Sequence, residues 1–313
     1  MVNSRKRIGN KLALAVLITM LLGIAVFPVF LKGKAVLKTT RAGDYEVHEW
    51  GVIVSCDDGG NGILTSRPMR ITVVKEPVLY FHSQDKRPFS LKVTFNRGTP
   101  TETYPAAVKK GNIIEWKRVS FPAETKAVIT KGLAVDSLVP FDEIIDTLND
   151  TDADAIETGG TKARFLFYEG ETPFKNPVKM TTAPRTQEVI VSNTGSYPVL
   201  DLFVILRDPL STGGFLFQPD ISAFYLPRLQ PGETVRLKPE QAGSTPDFAR
   251  LLQELGFTEK EARSFEVLWQ DSFLKYGKLV YRLPEEECDR MIKLEFNPQP
   301  KKINRALYVL VKH

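Results

Sequence analysis

A chain of 313 residues that is 42% hydrophobic and 25% charged is typical of a folded protein, which excludes global disorder and leaves room for one large domain or two ordinary ones. The net charge of +5 comes from the N-terminus, because the first 43 residues contain eight lysines and arginines and no acid. The remainder carries about −3, which argues against nucleic-acid binding because that function needs a basic surface.

An apolar run of 20 residues without a charge, 12–31, opens the chain. A helix of this length rises about 30 Å, so the run predicts one transmembrane helix, with residues 1–11 in the cytoplasm and 32–43 as a linker. The basic cluster Arg5–Arg7 favours a body outside the cytoplasm. The alternative is a cleavable signal peptide and a secreted body, but such peptides usually have an apolar core of about 7–15 residues and a small-residue cleavage site.

From residue 45 onward, short runs rich in Val, Ile, Phe and Tyr are separated by proline and glycine turns. Their period of two predicts a mainly β fold, a sandwich-like ectodomain in two parts. The candidate strands are 45–55, 71–74, 78–83, 89–96, 113–121, 164–168, 188–193, 199–207, 214–218, 234–238, 279–283, 292–296 and 306–311.

An acidic stretch within residues 142–154 marks a boundary near residue 160 between two predicted β-rich parts, 44–160 and 161–313. Its alternating acids resemble a calcium loop, but the sixth position counted from Asp150 is Ala155, where that loop requires glycine. The stretch is therefore interpreted as a solvated linker.

One segment, near residues 246–276, has a helical period instead. Pro246 is favoured in the first turn of a helix, and the sequence from Thr258 to Glu261 is a capping box that begins a second helix, ending before Gly277. These signals predict a small helical pair packed on a sheet. A DNA-reading helix-turn-helix is disfavoured because the second helix is not basic.

The two cysteines, Cys56 and Cys288, are too far apart for the paired spacing of a zinc knuckle or a redox motif. Two buried free thiols are the favoured interpretation. Export would allow the two residues to pair, so a disulfide stays open as the alternative.

Several short motifs follow one another along the body. They are His48–Gly51, Glu76–Phe81, Phe165–Tyr168, and a late group of Glu261, Ala262, Trp269, Ser272, Phe273, Gly277, Leu279, Val280, Tyr281 and Pro284. In this order they resemble an uncharacterised family of exported or membrane-anchored bacterial proteins, many from planctomycetes, with HEWGT-type and ETPVxYFY-type motifs. The resemblance implies an extracytoplasmic protein and no known activity. Val52 replaces the family's usual threonine and His82 a common tyrosine, which counts against His82 as an essential ligand of a shared site.

The rarer chemistry is concentrated around the first motif. Imidazoles and carboxylates bind divalent metals and activate water, so one hypothesis is a metal-dependent hydrolase with catalytic residues His48, Glu49 and Glu76 and metal ligands His48, Glu49 and His82. His48 and Glu49 point to opposite faces of a regular strand, so both reach one ion only across a bulge. The structural alternative is that His48 donates to a carbonyl and Glu49 pairs with a base on a neighbouring strand.

Two further classes of function stay open for a membrane-anchored extracytoplasmic protein whose activity the sequence does not name. A glycan- or peptide-binding envelope module would need an exposed aromatic groove, for which the candidates are Trp50, Tyr80, Trp116, Tyr168 and Trp269, although most lie in apolar runs typical of a core. An envelope interaction domain would show neither such a groove nor a polar cleft. No serine-hydrolase elbow, P-loop or dinucleotide fingerprint occurs, so a divalent metal is the one cofactor suggested.

Overall fold

The computed structural model describes residues 43–55, 62–65, 77–122, 141–207, 221–243 and 245–312, all within one compact unit, Thr40–His313. The predicted transmembrane segment 12–31, the linker, Cys56 and Glu76 lie outside these ranges. Within them, no helix is both long enough and apolar enough to cross a membrane.

The described part of the chain is mainly β, as predicted, with 18 strands and four α-helices. The strands are β1 (Tyr45–Ser55), β2 (Gly62–Thr65), β3 (Val78–Ser83), β4 (Phe89–Phe95), β5 (Thr99–Tyr104), β6 (Val108–Lys110), β7 (Ile113–Val119), β8 (Ile156–Thr158), β9 (Thr161–Ala163), β10 (Phe165–Thr172), β11 (Val178–Thr182), β12 (Val189–Asn193), β13 (Val199–Arg207), β14 (Ile221–Leu229), β15 (Thr234–Leu237), β16 (Gly277–Arg282), β17 (Ile292–Asn297) and β18 (Lys302–Lys312). The helices are α1 (Phe141–Asn149), α2 (Phe248–Glu254), α3 (Glu259–Tyr276) and α4 (Glu285–Met291).

Nine strands form the main sheet, in the order β14-β13-β16-β18-β1-β2-β10-β3, with β5 attached to β10. Strand β1 lies near its centre, where it pairs in parallel with β18 and antiparallel with β3 and then β2. The sheet therefore contains strands from both sides of residue 160. The smaller sheets are β17-β4-β7-β6, β11-β12-β15 and β8-β9.

Alternate side chains of β1 enter two different hydrophobic cores, because successive residues of a strand point to opposite faces. Val47 and Ile53 join a first core that also contains residues of the smaller sheets, including Trp116 of β7. Trp50 and Val52 join a second core that contains residues of α1, α2 and α3. The main sheet thus lies between α1, α2 and α3 on one face and the smaller sheets together with α4 on the other.

The predicted helical pair is confirmed as α2 and α3. Helix α2 begins after Asp247, whose carboxylate accepts a hydrogen bond from the N–H of Arg250, so its cap lies slightly later than Pro246 implied. Gly256, at a φ of +93°, makes the turn between the two helices, a conformation that favours glycine. The capping box at Thr258 is also confirmed.

The interpretation of residues 142–154 as a solvated linker is wrong for its first half, which is helix α1. Ile144, Ile145 and Leu148 are buried in the second core. Their spacing forms a short apolar stripe on a helix, which the neighbouring acids obscured in the sequence. At the other end of the chain, Cys288 is a buried free thiol, as predicted for it.

Candidate metal centre

His48 and His82 lie on neighbouring strands and face the same side of the main sheet. In the register of β1 and β3, His48 is opposite Tyr80, so His82, two residues further along β3, is its diagonal neighbour. The two imidazole rings are 4.7 Å apart between centroids. Because His48 shares its face with Trp50, both rings lie on the helical side of the sheet.

Glu261, in the first turn of α3, completes the cluster. Thr258 holds this turn, because its hydroxyl accepts a hydrogen bond from the Glu261 N–H at 3.3 Å while its own N–H donates to Glu261 Oε2 at 3.0 Å. Glu261 also shares a helical stripe with Phe265 and Leu268, which are buried in the second core. Packing of that stripe on the sheet carries the Glu261 carboxylate into the interior, where the residue is 0% exposed.

The Glu261 carboxylate joins the two histidines. His48 Nδ1 donates to Oε2 at 2.7 Å, and His82 Nε2 donates to Oε1 at 2.8 Å. An ionised carboxylate accepts hydrogen bonds only, so each of these nitrogens carries a proton. One carboxylate thereby connects strand β1, strand β3 and helix α3.

Burial and hydrogen bonding shift the pKa values of Glu261 and His82 in opposite directions. Burial alone would raise the pKa of Glu261, but the hydrogen bonds from His48 and His82 outweigh it and lower the pKa to about 2. Burial would lower the pKa of His82, but Glu261, together with the charges of Asp152 and Asp154, raises it above the usual value. Glu261 is therefore a stable anion.

The cluster is accessible to solvent at His82. His48 is 5% exposed and its ring lies 5.4 Å from that of Phe257, whereas the side chain of His82 is 27% exposed. Two acids hold the neighbouring loop in place: Asp152 accepts a hydrogen bond from the Thr258 hydroxyl at 2.6 Å, and Asp154 accepts one from the Ser83 N–H at 2.7 Å. Asp152 and Asp154 are thus close enough to act on the charge of His82, and Lys86 pairs with Asp154.

The three residues have the composition and spacing of a metal site. One candidate ligand atom from each of His48, His82 and Glu261 lies within 4.8 Å of the other two. Two imidazoles and a carboxylate are the protein ligands of one class of catalytic zinc site, in which a fourth position is left for water. A cation that replaced the two shared protons would face the same three ligand atoms.

The sequence-predicted site residues are only partly brought together. His48 and His82 meet, while Glu49 points to the opposite face of β1. Glu49 accepts hydrogen bonds there from Arg305 Nε and, at 2.6 Å, from the Tyr168 hydroxyl. His48 donates to the Glu261 carboxylate rather than to a carbonyl, and Glu49 pairs with a base on the neighbouring strand β18.

Arg305 links Glu49 to α4 and to the start of β17. Its Nη1 donates to Asp289 Oδ1 at 2.6 Å and to the carbonyl of Ile292 at 3.1 Å. Burial would lower the pKa of Arg305, but the adjacent Glu49 raises it, so the guanidinium stays charged. This network has the features of a structural ion pair.

Sequence reasoning missed Glu261 as a site residue, although it identified the capping box that contains it. A second signal was present, because Glu261, Phe265 and Leu268 follow helical spacing. A carboxylate on the apolar stripe of a helix needs a buried partner. The histidines of β1 and β3 are those partners.

The five aromatic residues proposed for a binding groove are all buried. Trp50, Tyr80, Tyr168 and Trp269 are 0% exposed, and Trp116 is 1% exposed. These rings therefore form core contacts and do not line a surface groove.

No protein-family model matches the sequence, and no curated protein matches it. Similar solved structures include the yeast delta-COP-I mu-homology domain complexed with a Dsl1 WxWxV peptide, at 8% identity and a TM-score of 0.34, and the same yeast domain alone, at 9% and 0.33. Each likeness covers 87% of this chain and 97% of the other. Likeness at this level shows no shared function.

Proposed function

We propose that this chain binds a divalent transition metal, with zinc as the best match, through His48, His82 and Glu261, and that the bound ion serves hydrolysis. The observation that supports the proposal most strongly is the convergence of three ligand atoms from β1, β3 and α3 within 4.8 Å. Nothing in the local sequence brings these residues together, because Glu261 is 179 residues from His82.

The ligand types favour a transition metal over magnesium or calcium. Magnesium and calcium prefer oxygen ligands, whereas imidazole suits zinc and its neighbours in the first transition row. Glu261 adds the one negative charge of the set, and its low pKa keeps that charge in place at any physiological pH. Zinc is redox-inert and accepts this mixed set readily.

The number of ligands and the exposure of His82 favour hydrolysis. Three protein ligands leave a coordination position for water, and zinc lowers the pKa of bound water to about 7. Solvent reaches the cluster beside His82, whose side chain is 27% exposed, so a substrate would approach from there. A fully enclosed site with four protein ligands would instead favour a structural metal.

The location and finer architecture are part of the same proposal. The uncharged run 12–31 and the basic residues before it support a single-pass anchor with a sandwich-like, two-part body outside the cytoplasm, and a secreted body is the alternative. The resemblance to the uncharacterised HEWGT-type family fits this location. The glycan- or peptide-binding alternative has no support from the five aromatic residues, because all are buried.

Metal analysis of the purified full chain tests the proposal. After exposure to zinc and dialysis, we expect about one ion per chain in the wild type and less than about a tenth of that in His48→Ala and Glu261→Gln. Glu259→Gln is the matched control, because it removes the same charge from the same turn at an exposed position and should keep full occupancy.

A folded wild type that takes up no metal would overturn the proposal and leave the cluster as a hydrogen-bonded clasp between sheet and helix. Metal uptake without hydrolysis of any ester, amide or phosphoester substrate would support the metal site and refute the catalytic role. Uptake that survives Glu261→Gln would show that the ion binds elsewhere.

A further inference from the structure

A groove lies on the other side of the main sheet, away from the two histidines. Two adjoining cavities of about 540 and 470 Å³ form it, and they share Ser196, Tyr197, Glu287 and Arg290. Its walls are residues 172–175 at the end of β10, residues 196–198 and helix α4. Volumes of this size are typical of sites for small ligands.

One end of the groove is basic. Arg97, Lys175 and Arg290 line the larger cavity, where Glu287 is the one acid. Arg290 donates through Nη1 to Glu287 at 2.7 Å, which neutralises that pair. Within the described ranges of the chain, neither Arg97 nor Lys175 has a carboxylate partner, so two positive charges remain there.

The opposite end differs in charge. The smaller cavity adds Glu285 and Glu286 to Glu287, against Arg228 and the shared Arg290. An anion is attracted to the first end and repelled from the second, since the energy between charges changes sign with their product. The groove therefore gives a bound anion one favoured position.

The wall beside the basic end is partly apolar. Phe174 and Met291 are 5% and 8% exposed, and both belong to the first core, on the face of the sheet opposite His48. Tyr197 is half-buried and lines both cavities. A ligand with an aromatic or apolar part beside its charged group would cover these surfaces.

We propose that this groove is a second binding site, for a small organic anion whose carboxylate or phosphate group contacts Arg97 and Lys175 and whose apolar part packs against Tyr197. Guanidinium groups bind both kinds of oxyanion through paired hydrogen bonds. The site is separate from the proposed metal centre and does not depend on it.

Calorimetric titration of the purified full chain tests this inference, with phenyl phosphate and phenylacetate as probes and inorganic phosphate as the probe without an apolar part. The protein is first treated with a chelator, so that an anion bound to a metal is not counted. We expect at least one aromatic anion to bind with a Kd below about 1 mM, more tightly than inorganic phosphate. Which aromatic anion binds distinguishes a phosphate ligand from a carboxylate ligand.

Three variants locate the bound anion. Arg97→Gln and Lys175→Gln should each weaken binding by about tenfold or more, because hydrogen bonds to charged groups are lost. Lys179→Gln, an exposed lysine on β11 outside the groove, makes the same change in charge and should leave the affinity unchanged. Failure of both aromatic anions to bind the wild type would overturn the inference, and so would equal losses in all three variants.

Discussion

Two carboxylates, Glu49 and Glu261, are buried on opposite faces of the same sheet, and both are 0% exposed. Glu49 is paired with the guanidinium of Arg305, which is charged at every accessible pH. Glu261 is hydrogen-bonded to two imidazoles, a type of side chain that can give up a proton and bind a metal ion instead. A buried carboxylate needs a hydrogen-bonding partner, and the two sites provide it with different side chains.

The partner of each carboxylate decides what its site can do. A metal ion could bind Glu49 only by displacing a buried guanidinium from it, and a guanidinium has no lone pair to offer the ion, so the pair of Glu49 and Arg305 serves the fold. An imidazole that loses a proton becomes a metal ligand, so the Glu261 site can exchange protons for a cation. His82, which is partly exposed, gives that site its route to solvent.

Removal of the guanidinium should produce the largest loss of stability. Arg305→Met leaves the Glu49 charge buried without its cation, and we expect the free energy of unfolding to fall by about 3–5 kcal/mol in urea denaturation. Zinc uptake per folded chain should be unchanged. The double variant Glu49→Leu with Arg305→Met should recover part of the loss, since both charges are then absent while the buried Tyr168 hydroxyl still lacks its acceptor. A loss below about 1 kcal/mol in the single variant would contradict the structural role of this pair.

In the metal-free protein, Glu261 and His82 should make the free energy of unfolding depend on pH. The folded pKa of Glu261, about 2, is below its usual value of 4.5, so its stabilisation is present above about pH 4.5 and is lost as the pH falls toward 2. The pKa of His82 is raised, so its stabilisation is present below its usual 6.5 and is lost as the pH rises through the raised value.

Glu261→Gln should remove both of these contributions and cost about 1.5–3 kcal/mol near pH 5–6, where both charges are present. Urea denaturation across the pH range, with a chelator present, measures the two limbs. Glu259→Gln, on the exposed side of the same turn, should keep the wild-type profile. An unchanged profile in Glu261→Gln would show that the two histidines stabilise nothing.

Loss of a helix cap should lower the free energy of unfolding by a smaller amount. Its effect on zinc binding should differ between α2 and α3. Thr258→Ala removes the cap of α3 and Asp247→Ala that of α2, and each should cost about 1 kcal/mol in the free energy of unfolding. Only Thr258→Ala should weaken zinc binding, because the Thr258 hydroxyl accepts from the Glu261 N–H and so holds the turn that positions Glu261, whereas Asp247 caps α2. Equal zinc affinities in the two variants would show that the Thr258 hydroxyl does not position Glu261, whose carboxylate is then held by the histidines and the Thr258 N–H.

The alternation of β1 predicted much of this architecture from the sequence. It placed His48 and Glu49 on opposite faces, and the structure buries those two faces in separate cores. It did not identify β18 as the parallel neighbour of β1, because that pairing joins the two ends of the described chain and no local pattern specifies it. The sequence therefore predicted a basic partner for Glu49 on a neighbouring strand but did not identify it as Arg305.

The candidate metal centre could likewise be predicted from the sequence only in part. His48 and His82 were singled out by residue type, and strand pairing brings them together. Glu261 arrives from a helix whose position depends on packing of Phe265 and Leu268 against the sheet, a tertiary contact that sequence spacing does not contain. The acids around residue 150 led to the wrong prediction of a solvated linker, because the apolar stripe of α1 lies between them in the sequence.

The smallest expected effect comes from a surface ion pair beside the site. Lys260 Nζ lies 3.0 Å from Asp150 Oδ1, and the two side chains are 56% and 84% exposed. Water screens this pair, so Lys260→Ala should change the free energy of unfolding by less than about 0.5 kcal/mol in urea denaturation. Lys260 is adjacent to Glu261 in the sequence, so a large effect of Glu261→Gln beside a negligible one here would assign the difference to burial and to the two histidines. A loss at Lys260 comparable to that at Glu261 would instead mean that the whole turn is sensitive and that the buried cluster is not special.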